Sequence, residues 1–287
     1  MVDEGSSDGT AGFLAGIGDA RVRVVRHDVP RGVPGARNAG VALAEGEWVG
    51  FLDDDDLWAP EKLRSQLDAV SAGPGCDWAC VSAVHVDPEL RVVGGMRIAD
   101  GRGILERLLV HNAIPGGGSG VIVRKRLLEE AGGFREDLKA GEDWECWIRL
   151  AELSRLAVVD RPLLAYRMDV HSMSYDIERQ QREEAKVRAL HPDLTHRADE
   201  RGAQASRLYL ARQEMRSGGR LRPARRFLAA AISARTPRYL VRAGGALLSP
   251  RLTSVLGIWR WRRSLEKEWV GLAENWLAIY RRGGGGT

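Results

Sequence analysis

Cysteine is nearly absent from this sequence. Its 287 residues include three, Cys76, Cys80 and Cys146. So low and odd a number excludes a fold stapled by disulfides and fits a reducing compartment. Cys76 and Cys80 stand four apart, with no second Cys or His pair to complete a zinc site. His27, His85, His111, His191 and His196 share no ligand spacing either. Long apolar runs are also missing. The uninterrupted stretches are short, Phe227–Ile232 among them, against the ~18 residues that cross a bilayer. The N-terminus, MVDEGSSDGT, has neither the basic region nor the apolar core of a signal peptide. With 44% apolar and 29% charged residues, the chain has enough material for a sizeable core and too much for a disordered one.

Charge is unevenly placed. Residues 1–177 carry 20 Lys/Arg against 29 Asp/Glu, and residues 178–287 carry 23 against 10. An acidic first part and a basic last part suggest two jobs: carboxylates attract metal, while a basic tail attracts nucleic acid or anionic lipid.

The first part alternates short β-rich runs with helical patterns. Arg21–Val25, Glu47–Leu52, Cys76–Val84, Val121–Val123 and Leu163–Tyr166 read as strands. Pro34–Ala44, Pro60–Ala72, Arg124–Ala131 and Glu142–Leu153 read as helices, the last with Trp144, Trp147, Ile148 and Ala151 on one face. Such alternation predicts an α/β fold with a mostly parallel sheet, whose ligands bind beyond the carboxyl ends of the strands. After about Tyr175 the pattern is helical. The expected division is residues 1–175 as the α/β domain and 176–287 as a basic helical region.

Asp53-Asp54-Asp55-Asp56 stands at such a strand end. Side chains two apart on a strand point to one side, so Asp53 and Asp55 can hold a hard divalent cation that also binds phosphate. The alternative is a solvated acidic loop capping the next helix. A calcium EF-hand is excluded, because the positions that would need Gly and Glu hold Trp58 and Arg64. The glycine run Pro115–Gly120 either lines a binding mouth or is a mobile loop. In the tail, Ile258, Trp261, Leu265, Trp269, Leu272, Trp276 and Ile279 recur at helical spacing among Arg and Lys. Such a helix suits an anionic membrane interface or packs back on the domain.

VDEGSSDGT, ARNAG and AEGEWVGFLDDDDLWAPEKL, followed by GGFREDLKAGEDWECWIRLA and PLLAYRMDVHSMS, resemble in order and spacing the family 2 glycosyltransferases of the GT-A fold. The resemblance spans about Val2 to Ser174. It implies a GT-A nucleotide-sugar-binding sheet flanked by helices, and inverting transfer of a sugar from a nucleotide-sugar donor to an acceptor hydroxyl. The setting it implies is cell-surface polysaccharide or glycolipid synthesis. The enzyme would be a metal-dependent, hexosyltransferase-like transferase using Mn²⁺ or Mg²⁺. Its acceptor would be a saccharide or a lipid-linked group. It would act in the cytoplasm, in peripheral contact with an anionic membrane on the inner face of the plasma membrane.

The same resemblance places roles. Asp3 and Glu4 match the acidic pair of the nucleotide-base pocket, with Glu4 departing from the usual Asp. Arg37 and Asn38 match the ARN element on the donor side, although Arg37 also suits a structural ion pair. Asp53 and Asp55 match the DxD element that holds cation and diphosphate, with Asp56 as a helix cap or supporting group. Glu142-Asp143 matches the ED element, in which Asp143 is the catalytic base. The alternative there is acidic enrichment at a helix N-terminus. Arg167 and His171 match an Arg-x-His element more widely spaced than usual. Trp144 and Trp147 are expected to pack in the core, the alternative being that one stacks on a sugar.

The resemblance also implies a strand and helix ahead of VDEGSSDGT, whereas Met1 directly precedes Val2-Asp3. The expectation is an N-terminally incomplete chain, or a short form whose gap the tail or a partner covers. Two other readings stand beside the enzyme: an inactive scaffold or binding module of the same fold, and a nucleic-acid binder driven by the basic tail. The second lacks any recognition motif.

Overall fold

A computed structural model describes residues 1–168, 177–192, 220–234, 238–249 and 267–283, with Leu208 and Ala211 besides. His171, Ile258, Trp261 and Leu265 lie outside the described residues. The elements run β1 (Val2–Asp3), α1 (Thr10–Ala15), β2 (Val25–Arg26), α2 (Gly32–Leu43), β3 (Trp48–Gly50), β4 (Leu57–Trp58), α3 (Lys62–Ala72), β5 (Cys76–Val86) and β6 (Val92–Met96). Then follow α4 (Ile104–Leu108), a 3₁₀ turn (Gly117–Gly120), β7 (Val121–Arg124), α5 (Lys125–Glu130), α6 (Glu142–Leu153), β8 (Arg155–Arg167) and α7 (Ile177–Leu190). The tail contributes α8 (Leu221–Ala234), α9 (Arg238–Leu248) and α10 (Lys267–Gly283).

β5 organises the main sheet. Apart from Ser82, its residues from Trp78 to Val84 are apolar and wholly buried, as a strand covered on both faces requires. Trp78 and Cys80 point into a core closed by α6, where Trp147 stacks on Trp78 at 6.0 Å. Ala79 points the other way, onto Val70 of α3. The strand order is β3-β7-β5-β8-β4, with β6 also paired to β5. β1 and β2 form a parallel ladder of their own.

The α/β architecture is as expected, but the sheet is mixed rather than mostly parallel. β5 and β8 run parallel, whereas β7 and β6 are antiparallel to β5, β7 to β3 and β4 to β8. The turn Asp87–Leu90 sends β6 straight back along β5, and a tight turn can only pair strands antiparallel. β8 arrives after α6 and takes the parallel position. It begins at Arg155, ahead of the expected Leu163, because register shifts at Val81 and Ser82 accommodate Pro162 within the ladder. Of Arg21–Val25, only Val25 is in a strand, since its partner β1 is two residues long.

α10 settles the tryptophan-rich tail for its described part. Trp269 and Trp276 are buried, with Ala273 and Leu277, against Val84, Leu163, Leu164 and Ala165 of the sheet. Trp276 Nε1 donates to the Pro162 carbonyl at 2.9 Å, and the Tyr280 hydroxyl to the Trp58 carbonyl at 2.7 Å. These tryptophans are core residues and cannot at the same time lie in a membrane interface, which corrects the lipid-facing alternative for Trp269 and Trp276.

Candidate functional site

The site forms where the loop between β3 and β4 meets the middle of α2 and the N-terminus of α6. Arg37 is its centre. It projects from α2 with a side chain that is 10% exposed, and reaches two segments at once. Nη1 donates to Glu142 Oε1 at 2.8 Å, and Nη2 to both Asp53 oxygens at 3.0 and 3.3 Å. Its guanidinium also lies over the Phe134 ring. One buried cation thus ties the aspartate run to the helix that carries Asp143.

Asn38 does related work one residue on. Its amide donates to the Phe134 carbonyl at 2.8 Å, and its Oδ1 accepts the Phe134 N–H at 2.8 Å. This pair of bonds clamps the GGFRE segment onto α2. Gly133, in the left-handed region at φ +68°, leaves room for it, since a Cβ there would come within 2.9 Å of Asn38 Oδ1.

Asp143 is the second residue of α6, which starts at Glu142 after Gly141, whose φ is +73°. Its Oδ1 accepts the Trp144 N–H at 2.6 Å, and Oδ2 the Asn112 side-chain amide at 3.1 Å. Burial pushes its pKa up. The Arg37 charge and those two donors pull it back without cancelling the rise. Glu142, buried and beside Asp143, is raised to about 7, with Arg37 again opposing. A carboxylate lifted toward neutrality is a stronger base, suited to taking a hydroxyl proton.

The aspartate run is held from behind by Ser119. The Asp53 N–H donates to Ser119 Oγ at 3.0 Å, and Trp58 Nε1 donates to the Ser119 carbonyl at 2.8 Å. Asp56 accepts the Arg167 N–H at 3.1 Å and is raised to about 7 by burial. It therefore supports the loop rather than facing solvent. Asp55 is also raised, by burial and then by its neighbours Asp54 and Asp53.

Beneath Trp58, the wholly buried Lys62 donates to Gln66 at 2.9 Å, with its ammonium 4.0 Å from the Trp58 ring centre. Gln66 in turn donates to the carbonyls of Ala79 and Gly120 at 3.0 Å. Burial lowers the Lys62 pKa to about 7.

The structure thus brings Arg37, Asp53, Glu142 and Asp143 together. Asp3 and Glu4 lie at the end of β1. Asp3 is buried on Arg26 and the Ser6 N–H, and hydrogen bonds from Ser6 hold its pKa down. Glu4 accepts the N–H groups of Arg31 and Gly32 at the start of α2 and faces His27 Nδ1. The Arg167 guanidinium turns to the Pro88 carbonyl, although its charge still lowers Asp55. Trp144 and Trp147 are buried in the core, as expected.

Ser119 and Asn112 are the residues that sequence reasoning passes over. The glycine run around Ser119 is a buried 3₁₀ turn and not a mobile loop. A Cβ on Gly117 would sit 3.0 Å from Asp143 Oδ2, and one on Gly118 2.8 Å from Arg37 Nη2. A lone hydroxyl inside the run is the available signal, because a free linker needs none. Ser119→Ala removes the acceptor of the Asp53 N–H. We expect a loss of about 1–3 kcal/mol, the cost of leaving buried polar groups unmade. Thermal denaturation measures it, and an unchanged midpoint would refute the bridging role.

The fold, a mixed α/β sheet ending in clustered carboxylates with an arginine tying two of them, is of the GT-A type. Residues 1–131 match the family described as glycosyl transferase family 2. The chain is 43% identical over 72 residues to the succinoglycan biosynthesis protein ExoO of Rhizobium meliloti, covering 25% of this chain and 21% of that protein. It is 35% identical over 67 residues to the UDP-Glc:alpha-D-GlcNAc-diphosphoundecaprenol beta-1,3-glucosyltransferase WfgD of Escherichia coli, covering 23% and 26%. The matches thus span about a quarter or less of these relatives' lengths. Among solved structures, TarS 1–349 of S. aureus superposes with a TM-score of 0.52 at 18% identity, covering 93% of this chain and 82% of that one. Its complex with UDP gives 0.50 at 17% identity, again covering 93% and 82%.

Proposed function

We propose that this protein transfers a hexose-like sugar from a nucleotide-sugar donor to an acceptor hydroxyl, with inversion at the anomeric carbon. The observation that carries the reading is the Arg37 bridge, which puts the Asp53 loop and the Glu142-Asp143 helix start in one cluster. One-step displacement needs two things side by side: a base for the acceptor and charge compensation for the leaving group. Asp143 takes the acceptor proton. The acceptor oxygen bonds to the anomeric carbon as the bond to the diphosphate oxygen breaks, and the electron pair leaves with the nucleoside diphosphate. Asn112 and the Trp144 N–H orient the Asp143 carboxylate for that transfer.

Among the described residues, no group of three or more His, Cys, Asp or Glu side chains is arranged to hold a metal ion. That donor set still fits Mg²⁺ or Mn²⁺, which take one or two carboxylates and complete their shell with phosphate oxygens and water. Asp55, exposed on the loop and crowded by Asp54 and Asp53, would hold the ion, with Asp53 exchanging part of its contact with Arg37. Such an ion, when bound, neutralises the leaving diphosphate. Asp3 and Glu4 frame the nucleotide-base side.

The UDP complex of TarS supports a uridine nucleotide donor. The relatives' names, a succinoglycan biosynthesis protein and a transferase acting on a diphosphoundecaprenol-linked sugar, support a saccharide or lipid-linked acceptor in polysaccharide synthesis. On this reading the protein works in the cytoplasm, peripheral on an anionic membrane. The test is Asp55→Ala. Mn²⁺-dependent UDP binding, followed by calorimetry, should be lost while the melting profile stays cooperative, because the site is a polar loop and no core is removed. Unchanged affinity in Mn²⁺ would sink the assignment.

A further inference from the structure

From Met215 to Leu265 the chain contains twelve arginines and neither Asp, Glu nor Lys. Within this stretch α8 and α9 form a helical pair. Phe227 and Ala230 of α8 and Tyr239, Ala243 and Ala246 of α9 are buried in a cluster of their own. The outward faces are apolar as well. On α8, Leu221 and Ile232 are 68% and 72% exposed, and Leu228 is exposed between them. At 100° per residue these three fall within about 40° of one line along the helix. Exposed Arg225 lies beside that line, and exposed Arg220 just precedes the helix. On α9, Leu240, Val241, Leu247 and Leu248 are exposed, Leu248 to 83%. Aliphatic side chains at this density on an outer face are unusual unless something covers them.

We propose that the α8–α9 pair is the membrane-docking element of this protein, and that its partner is the surface of a bilayer containing anionic phospholipid. This rests on the membrane-peripheral part of the reading above and assigns it to a definite segment. Leucines buried at the headgroup–acyl boundary beside arginines facing lipid phosphates are the pattern of an interfacial helix. The charge identifies the occupant. A second copy docked through the same helical pair would bring arginines against arginines with no carboxylate to meet them, and a second copy's acidic α/β part would leave the exposed aliphatic side chains against charge. Nucleic acid would satisfy the arginines and leave seven exposed aliphatic side chains with nothing to cover them. Anionic lipid satisfies both. The tryptophans of α10 cannot take this part, since Trp269 and Trp276 are buried on the sheet.

The experiment uses the whole 287-residue chain. Co-sedimentation is measured with vesicles of phosphatidylglycerol mixed with phosphatidylcholine, and with vesicles of phosphatidylcholine alone. UDP binding is measured on the same preparations. The parent should partition onto the anionic vesicles and much less onto the neutral ones. Arg220→Gln with Arg225→Gln should weaken partition roughly 20- to 30-fold, two arginines' share of the surface attraction. Leu228→Ser with Ile232→Ser, and separately Leu240→Ser with Leu248→Ser, should weaken it with unchanged UDP binding, which shows that the α/β domain is intact. If a serine pair fails to fold, the arginine pair decides alone. Equal partition of the parent onto both vesicle types, or variants that partition like the parent, would overturn the proposal. So would duplex DNA displacing the parent from anionic vesicles and binding the serine variants as tightly. A parent that binds anionic vesicles through these residues but binds no UDP would support the docking and remove the donor reading instead.

Discussion

Asp143→Asn is expected to lower sugar transfer by roughly 10²–10⁴-fold, the usual worth of a positioned base, while leaving nucleotide binding nearly unchanged. The amide keeps the shape of the carboxylate and can still accept the Trp144 N–H. What it loses is the capacity to take a proton. Because burial raises the Asp143 pKa, the wild-type rate should climb with pH as this carboxyl ionises and then level off. The variant's residual rate should lack that limb. Product formation under single-turnover conditions across a pH series, paired with calorimetric UDP titration, measures both parts. Near-wild-type turnover, or an unchanged pH profile, would place the base elsewhere.

Arg37→Met should be the most destabilising change in the site. It leaves Glu142 buried without its cation and removes the counter-charge of Asp53. Breaking a buried pair by removing one partner costs about 3–5 kcal/mol. The Asp53 side chain is 38% exposed and therefore screened, so the lower end applies, a fall of about 6–12 °C in melting temperature. The pH dependence carries a sign. Glu142 has a folded-state pKa of about 7 against an ordinary value of 4.5, so folding takes up a proton between those values. At this group, stability is fullest below the unfolded value and declines as pH rises toward 7. Arg37 opposes that rise, so its loss should extend the decline above pH 7. Melting curves from acid to mildly alkaline pH test it, and parallel curves for the two proteins would show that Glu142 does not depend on Arg37.

Much of the α/β part is legible from local pattern. Glu142–Leu153 is found with the expected bounds, because its acidic first turn and its Trp144–Trp147–Ile148 face are both local signals. The carboxylates of Asp53–Asp56 follow β3 as expected, since a short apolar strand followed by charge can only end there. The family motifs are legible for the same reason, each being a contiguous string. The mixed sheet is less so: strand direction depends on where the chain returns, and a run such as Val121–Val123 reads the same in either sense.

The sequence by itself determined which residues bear the chemistry: the aspartate run, the ED pair at the head of its helix, and the arginine of the ARN element. Only the tertiary structure decided that Arg37 spans Asp53 and Glu142, that Ser119 holds Asp53 from behind, and that Asp56 is buried. These partners lie 16, 105 and 66 positions apart, and side-chain contacts over such separations leave no periodicity to read. The same limit explains the tail. An apolar helix face is equally content against a sheet or against lipid, because the hydrophobic effect has no direction. For Trp269 and Trp276, the exposed apolar surface of β8 and its neighbours made the choice. For α8 and α9 the sheet offers no such cover, and their outer leucines remain exposed.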